Sequence, residues 1–462
     1  MRRVMMNLTE AMAKFALELE LNKLNSEIVK QAKIFFADGL ACMVAGAREK
    51  PVLIATEYAK KFGGAPVTSI LCSNVKTDVY SASLANGIAA HIHDFDDVSD
   101  SSNAHVSVVM LPVVLALGEE LKATGEDALA AYITGVEVCA IAGRAMGKEN
   151  FRRGWHSTSS LGIFGAVAAA GRLMKLSQWQ LTYAMGLAAS ESSGIKANFG
   201  TMAKPFHAGS AASKAIRIVR LASLGYDSNP ACIEEKCGFA DLTIGGADMA
   251  PAYDAIENGI FDFLDPGLIM KPYPSCKASH NGIDAMRLLV TENDLAPDDI
   301  KHVNVRVQPY AMDLLRFPVA RTKLEGKFSL NYCMAQIIAK RELSINDFDG
   351  DLVEDPVIIE LMKKMDVAGS EELNEGDNML VRGDTEVRVL TNDGRELTKR
   401  VNYATGDPHN PLTEEQRIKK LSDCFSRNLT HEGAQAVIKA LEGFERLEHI
   451  SGLIEMVNSV AL

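Results

Sequence analysis

Four stretches in the first half of the chain are almost wholly apolar and rich in small residues: VSVVMLPVVLALGEELKA, DALAAYITGVEVCAIAGRAM, LGIFGAVAAAGRLMKL and WQLTYAMGLAAS. A helix with apolar side chains on most faces has no polar face to expose to solvent, so it must be buried among other helices. Alanine and glycine let such helices pack closely. These stretches therefore predict a large all-helical domain and constrain the fold more than any other feature of the sequence.

An earlier stretch, SEIVKQAKIFFADGLACMVAG, shows the same preference. Apolar residues recur at helical spacing at Ile28, Ala32 and Phe35. Ser26 is predicted to cap the start of this helix, and Gly46 is predicted to mark its end.

The pattern changes near residue 265. KHVNVRV alternates as a half-buried strand does, and TEVRVLTNDGRELTKRVNY predicts a hairpin that turns at Asn392-Asp393-Gly394. Helical stretches such as SLNYCMAQIIAKREL lie between these strands. The fold class is therefore mainly α, with an all-helical domain over residues 1–265 and a smaller α+β lid domain over 266–403. The helical tail, 404–462, is predicted to return to the first domain.

Composition narrows the functional classes. The 462-residue chain carries a net charge of −12, which argues against nucleic acid and an anionic membrane as partners. The first ten residues, MRRVMMNLTE, lack the apolar segment of a secretory signal, and no apolar run reaches membrane-spanning length. The eight cysteines are scattered without a Cys-x-x-Cys pair, which favours a reduced, cytoplasmic protein without a cysteine-ligated metal.

The stretch HIHDFDDVSDSSNAH, residues 91–105, concentrates histidines and carboxylates directly after a helix of the buried type. It has three interpretations. It can be a polar loop that caps a helix, or a metal site, since His-x-His beside aspartate is plausible ligand chemistry. It can also be a proton-transfer site, in which a carboxylate and a histidine act as base and acid.

Further on, lysine and histidine recur beside proline or glycine at predicted helix starts. In GTMAKPFHAGSAASKA, Lys204 precedes Pro205 and is predicted to have an extended backbone, with His207 close behind. LIMKPYPSCKASHNGIDAM has the same Lys-Pro arrangement, with Ser275 as a candidate helix cap. NFRRGWHSTSSLGIFG places a histidine just before a helix start. Together these segments can form a cationic pocket for a small polycarboxylate.

These segments also resemble a known family. NGIAAHIHDFDD, GWHSTSSLGIFG, KPFHAGSAASKA, KPYPSCKASHNGIDA, GKFSLNY and the closing DGRELTKRVNYATGDPHNPLT are similar, in this order along almost the whole chain, to motifs of the MmgE/PrpD family. That family includes 2-methylcitrate dehydratase, cis-aconitate decarboxylase and iminodisuccinate epimerase. The resemblance implies a helical domain built from both chain ends, an α+β lid, a homodimer, and chemistry that needs no metal or other cofactor.

Matching positions imply the roles of individual residues. The catalytic positions fall on an aspartate, two histidines and two lysines: Asp94, His105, His156, Lys204 and Lys271. Substrate-binding positions fall on four further residues: His207, His280, Arg316 and Tyr310. The chain departs from the family at Val98, where many members have threonine. It also departs at Asp313, which has the spacing of a family tyrosine before Arg-x-Pro.

The leading hypothesis is a cofactor-independent lyase, a dehydratase of the 2-methylcitrate dehydratase type. It would act on a small di- or tricarboxylate by proton abstraction next to a carboxylate, while both lysines bind carboxylates and stabilise the developing charge. An epimerase or a cis-aconitate decarboxylase on the same site is the nearest alternative. More distant alternatives are a metal-dependent hydrolase that uses HIHDFDD and a non-catalytic dimer that binds carboxylates.

Overall fold

The computed structural model describes residues 6–350, 355–374 and 383–462. The helical part comes first along the chain. Its helices are α1 (Leu8–Glu18), α2 (Ser26–Gly46), α3 (Lys50–Phe62), α4 (Val79–His91), α5 (Ser107–Leu121), α6 (Gly125–Met146), α7 (Glu149–Arg152), α8 (Ser157–Ser160), α9 (Gly162–Leu173), α10 (Gln178–Glu191), α11 (Ala203–Ser223), α12 (Phe239–Ile244) and α13 (Ala250–Asn258). Short strands interrupt them: β1 (Thr68–Ser69), β2 (Lys76–Thr77) and β3 (Val98–Ser99).

Three of the four alanine- and glycine-rich stretches form the centre of this part, as predicted. The fourth was predicted to be buried but is only partly so, since α10 buries six of its 14 residues and leaves Trp179 57% exposed. α5, α6 and α9 pack against one another and are buried along most of their lengths. Among the described residues, α6 alone is long and apolar enough to cross a membrane, but 94% of its apolar stretch is buried inside the protein. Such burial is what the core helix of a globular protein shows.

The crossing of α4 and α11 sets the position of the site described below. The two helices touch backbone to backbone, since a Cβ atom added to Gly87 would lie 2.5 Å from the Cα of Gly209. A side chain at either position would force the helices apart. Because Gly87 lies one turn before the end of α4 and Gly209 lies in the second turn of α11, the contact brings the end of one helix beside the start of the other.

Three local predictions were wrong. The helix that begins at His280 has Ser279, not Ser275, at its N-cap position. Asn25, rather than Ser26, caps α2, because its side chain accepts a hydrogen bond from the N–H of Glu27. Lys204 is not extended but helical, as the second residue of α11. Pro205 is tolerated there because N–H groups in the first turn of a helix have no intrahelical acceptor to lose.

The later part of the chain is α+β, as predicted. Its elements are β4 (Leu268–Ile269), α14 (His280–Asn293), β5 (Ile300–Val307), α15 (Lys323–Gly326), α16 (Leu330–Lys340), α17 (Pro356–Lys363), β6 (Met365–Gly369), β7 (Thr385–Thr391) and β8 (Glu396–Val401). β4 pairs with β3, and the other strands form a sheet of order β6-β5-β7-β8. β5 runs parallel to β6 and antiparallel to β7, and the predicted β7–β8 hairpin turns through Gly394 at φ +88°. The mainly α fold class with an α+β portion is therefore confirmed.

The tail returns to the helical part. It forms α18 (Glu414–Phe425), α19 (His431–Leu441) and α20 (Ser451–Ser459), of which α18 packs on α2 and α20 on α5. The buried apolar residues divide into two clusters, one mostly within the helical part and the tail but including Leu268, Met270 and Ile345, the other mostly within residues 273–401. The predicted domain limits at 265/266 and 403/404 stay a prediction.

Candidate active site

The loop that follows α4 carries the aspartate singled out from the sequence. Asp94 has a left-handed backbone, with φ +53°, and its N–H donates to the carbonyl of His91, the last residue of α4. Aspartate tolerates this conformation better than most residues, but surrounding contacts must hold it there.

Three buried lysines provide such contacts. Three successive carbonyls, those of residues 93–95, accept hydrogen bonds from Lys327 at 2.9 Å, Lys271 at 2.9 Å and Lys420 at 2.8 Å, respectively. Lys271 comes just after β4, Lys327 lies between α15 and α16, and Lys420 belongs to α18. The bend at Asp94 is thus fixed by three distant parts of the chain.

The Asp94 carboxylate lies between two ammonium groups. Its Oδ1 accepts a hydrogen bond from Lys271 Nζ at 2.6 Å, and its Oδ2 lies 3.0 Å from Lys204 Nζ. Burial would raise the pKa of Asp94, but the charges of Lys204 and Lys271 outweigh it and hold that pKa well below its usual value. Asp94 is therefore ionised.

The two lysines differ in what they leave for a ligand. Lys271 is fully buried and donates to both the carbonyl and the carboxylate of Asp94. Lys204 makes its 3.0 Å ion pair without hydrogen-bond alignment, and no described residue accepts a hydrogen bond from its Nζ. Lys204 therefore keeps its donors for a ligand.

A second carboxylate joins two histidines. Asp96 lies 3.1 Å from His91 Nδ1 and 2.7 Å from His105 Nδ1. An ionised carboxylate only accepts hydrogen bonds, so His91 Nδ1 carries the proton, and the short contact of Asp96 with His105 Nδ1 favours the same tautomer of His105. Burial, aided by the charges of Lys271 and Lys204, lowers the pKa of His105 to about 3 in spite of Asp96. His105 is therefore neutral in the ligand-free protein.

Two further histidines extend this cluster. His156 stacks on His91 with ring centroids 5.6 Å apart, and its Nδ1 lies 3.0 Å from His207 Nδ1. One of these two nitrogens donates and the other accepts, so at least the accepting ring is neutral. Burial lowers the pKa of His156 well below its usual value and that of His207 to about 4, and the charge of Lys204 acts in the same direction on both.

These groups open onto a narrow cleft between the two parts of the protein. The cleft encloses about 500 Å³ of empty space, including its open end. Both parts contribute to its lining: Asp94, Val98, Asn103, His105, Phe151, His156, Phe199 and Lys204 from the first, and Cys276, Lys277, Ala278, Tyr310, Leu314 and Phe328 from the second. Carboxylate, imidazole and ammonium groups thus face one small space with apolar walls, a setting typical of a small-molecule site.

The structure brings most of the predicted site residues together. Five of them line the cleft: Asp94, His105, His156, Lys204 and Tyr310. Lys271 lies behind Asp94, and His207 lies behind His156. His280 begins α14 away from the lining, where it contacts the carbonyl of Ser275, and Arg316 is exposed and donates to the carbonyl of Asp313. The roles predicted for all nine residues stay predictions.

Among the described residues, one trio of side chains has the spacing of a metal site. The potential ligand atoms of His91, Asp96 and His105 all lie within 4.8 Å of one another. Two imidazoles and a carboxylate are a reasonable ligand set for a divalent transition metal. Asp96 already accepts a hydrogen bond from His91 and contacts His105 Nδ1, and the nearby ammonium groups of Lys204 and Lys271 would repel a cation. These charges favour the proton-transfer interpretation of the trio over the metal interpretation.

Several residues of the site were not singled out from the sequence. His91 and Asp96 were noted within the HIHDFDD stretch but received no role. Asn103 lines the cleft and Lys327 holds the Asp94 loop, and neither belongs to a local pattern that indicates its position. Lys327 lies in GKFSLNY, a segment that matched the family motif, but this match gave no direction for its side chain.

Comparison with known proteins places this site in a family. Residues 10–252 match the MmgE/PrpD N-terminal domain, and residues 273–445 match the MmgE/PrpD C-terminal domain. The chain therefore belongs to the MmgE/PrpD family, and the predicted resemblance is confirmed.

Curated relatives extend along nearly the whole chain. The cis-aconitate decarboxylase of Homo sapiens is 27% identical over 98% of this chain and 94% of its own length. Those of Mus musculus and Aspergillus terreus are 26% and 25% identical, over 98% and 97% of this chain and 93% and 96% of their own lengths. These relatives support a lyase in general rather than one particular lyase reaction.

Proposed function

We propose that this protein is a lyase that acts on a small di- or tricarboxylate by proton transfer at a carbon next to a carboxylate, without a metal or other cofactor. The observation that carries this proposal is the Lys204 ammonium, which faces the cleft with its hydrogen-bond donors unused beside an ionised Asp94 and a neutral His105. An ammonium in an apolar-walled cleft is a strong partner for a carboxylate.

His105 is the better placed base. Its Nδ1–H faces Asp96, so the lone pair of Nε2 is available, 3.7 Å from Asp94 Oδ1. A carboxylate whose pKa lies as low as that of Asp94 is a weak proton acceptor. The negative charge of a bound polycarboxylate would offset Lys204 and Lys271 and raise the pKa of His105 towards neutrality. Asp96 would then stabilise the imidazolium that forms, and Asp94 is the second candidate for proton transfer.

Lys204 supplies the electrostatic part of catalysis. When a proton leaves the carbon next to a carboxylate, charge builds on the carboxylate oxygens. A fixed ammonium at those oxygens stabilises the transition state more than the ground state. Lys271, which is already hydrogen-bonded to Asp94, would hold the loop that carries Asp94 and His105 and would add its positive charge to the site.

The leading reaction is dehydration, in which loss of the proton is followed by loss of a hydroxyl from the neighbouring carbon. Decarboxylation is the second candidate, and the observation that favours it is the name shared by the relatives in Homo sapiens, Mus musculus and Aspergillus terreus. Both reactions use a cationic carboxylate site and a group that exchanges a proton with carbon.

Product analysis in D₂O separates these reactions. The protein is incubated with a panel of hydroxy-, unsaturated and amino-polycarboxylates, and hydrogens next to carboxylates are followed by NMR. A dehydratase yields an alkene and places deuterium in substrate formed by the reverse hydration. A decarboxylase releases CO₂ and places deuterium where the carboxylate was, whereas an epimerase exchanges the hydrogen and inverts the centre. Absence of all three outcomes across the panel would refute the proposal. The predicted homodimer and cytoplasmic location stay predictions.

A further inference from the structure

A second residue with left-handed backbone lies in the loop between β3 and α5. Asn103 has φ +48°, is 6% exposed and lines the same cleft as Asp94 and His105. Neither Nδ2 nor Oδ1 of its side chain has a hydrogen-bond partner among the residues that the structure describes.

Both features are unfavourable for the stability of the fold. A buried amide without partners loses its hydrogen bonds to water and gains none in return, and such groups are rare in folded proteins. Neighbouring serines of the same loop are satisfied, since Ser99 and Ser101 donate to Asp262, and Ser102 donates to Ser99. Strain and unpaired polar atoms at one residue that faces a cleft indicate a ligand that completes them.

The chemistry of an amide restricts that ligand. An amide has a donor end and an acceptor end, and rotating it by 180° only exchanges them. A carboxylate can satisfy the donor end, but it has no hydrogen to offer the acceptor end. Lys204, which lines the same cleft, carries donors suited to carboxylates. Of the substituents that a polycarboxylate can carry, a hydroxyl or amino group has the hydrogen that the acceptor of Asn103 lacks.

We propose that Asn103 binds a hydroxyl or amino substituent that the substrate carries beside one of its carboxylates. This inference rests on the proposed function and specifies the substrate class as a hydroxy- or amino-polycarboxylate. A purely unsaturated acid would leave Oδ1 of Asn103 buried without a partner. Asn103 therefore favours dehydration or epimerisation over decarboxylation of an unsaturated acid.

Calorimetric titration with matched pairs of acids tests this role without the need for turnover. Citrate and propane-1,2,3-tricarboxylate differ only in one hydroxyl, as do malate and succinate. The wild-type protein should bind the hydroxylated member of at least one pair roughly five- to tenfold more tightly, the ratio that one net hydrogen bond provides.

Two variants assign the preference to the side chain. Asn103→Gly removes the amide and suits the left-handed backbone, so it should reduce the affinity ratio to about one and leave the affinity for the deoxy acid nearly unchanged. Asn103→Asp keeps an acceptor but adds a negative charge, so both affinities should fall while the ratio persists. Lys122→Gly is the control, since Lys122 has φ +54° at the exposed end of α5, outside the cleft lining.

The outcomes separate this inference from the proposed function. Equal binding of both members of each pair by the wild type, or a hydroxyl preference that survives in Asn103→Gly, would overturn the role of Asn103 and leave the polycarboxylate site intact. Failure of the wild type to bind any of the four acids would overturn both. An unfolding temperature of Asn103→Gly equal to or above that of the wild type shows that a lost preference is not a loss of fold.

Discussion

Replacement of Lys204 by methionine tests the cationic site most directly. Methionine keeps an apolar stem against Phe199 and Phe328, whose ring centroids each lie 5.4 Å from Lys204 Nζ, but removes the charge. The lost interaction is a charged hydrogen bond to the reacting carboxylate, worth roughly 1.5–3 kcal/mol in the transition state. We therefore expect kcat/KM to fall by roughly ten- to a hundredfold or more.

The effect on folding should be smaller than the effect on catalysis. Asp94 keeps its 2.6 Å hydrogen bond to Lys271 when Lys204 is lost, so its charge is not left unpaired. The assay is initial-rate kinetics with the best substrate of the panel, alongside thermal unfolding. Lys214→Met is the matched control, because Lys214 lies on the same helix and donates to the carbonyl of Glu191 and to Ser193, outside the cleft lining.

Two results would refute this reasoning. The first is a folded Lys204→Met variant with near wild-type kcat/KM, since the transition state would then gain nothing from the ammonium. The second is an equal loss in Lys204→Met and Lys214→Met, since the effect would then follow from the net charge of α11 rather than from the cleft.

Four further predictions follow from the same geometry. Activity should survive exhaustive chelation, and loss with EDTA that one divalent metal restores would refute this. Asp94→Asn and His105→Gln should each suppress solvent deuterium incorporation, because an amide is an ineffective acid or base; exchange at the wild-type rate in both would place catalysis elsewhere. The pKa values of His105 and His207, about 3 and about 4 against 6.5 in the unfolded chain, mean that unfolding takes up protons below pH 6.5. As the pH is lowered from about 6.5 to about 4, these two histidines should therefore lower the free energy of unfolding, each by roughly 1.4 kcal/mol per pH unit, whereas Asp97, whose pKa burial raises to about 7, acts in the opposite direction. Denaturant titrations in which His105→Gln shows the same pH slope as the wild type would contradict the contribution of His105. Lys271→Met should lower both kcat/KM and the melting temperature, unlike Lys204→Met, because Lys271 also supports the backbone of Asp94; an unchanged melting temperature would argue against that support.

Local patterns predicted the elements of the fold well. Small apolar residues identified the central helices, and the alternation of Val303, Val305 and Val307 identified β5, because burial imposes the period of each element on its sequence. The errors arose where two local rules compete. Asn25 and Ser26 are adjacent good caps, and a lysine before proline is extended in most settings but not in the first turn of a helix.

The candidate site was predicted only where its residues are close in sequence or matched a family motif. Asp94 and His105 lie in one short loop, so the sequence displays them together. Lys327 and Lys420 reach the same loop across separations of 234 and 325 residues, which no local pattern records. The role of Asn103 could not be predicted from the sequence either. Asn103 stands out only because its side chain has no hydrogen-bond partner among the described residues of the folded cleft, and a sequence does not show which contacts are missing.

The three lysines at the carbonyls of residues 93–95 also bear on the order of events in folding. Lys271 lies at the start of the α+β part, Lys327 lies within it, and Lys420 lies in the tail. The left-handed bend at Asp94 is therefore complete only after the α+β part and the tail have docked on the helical part. The proposed site is therefore complete only when all three of these parts of the chain are in place.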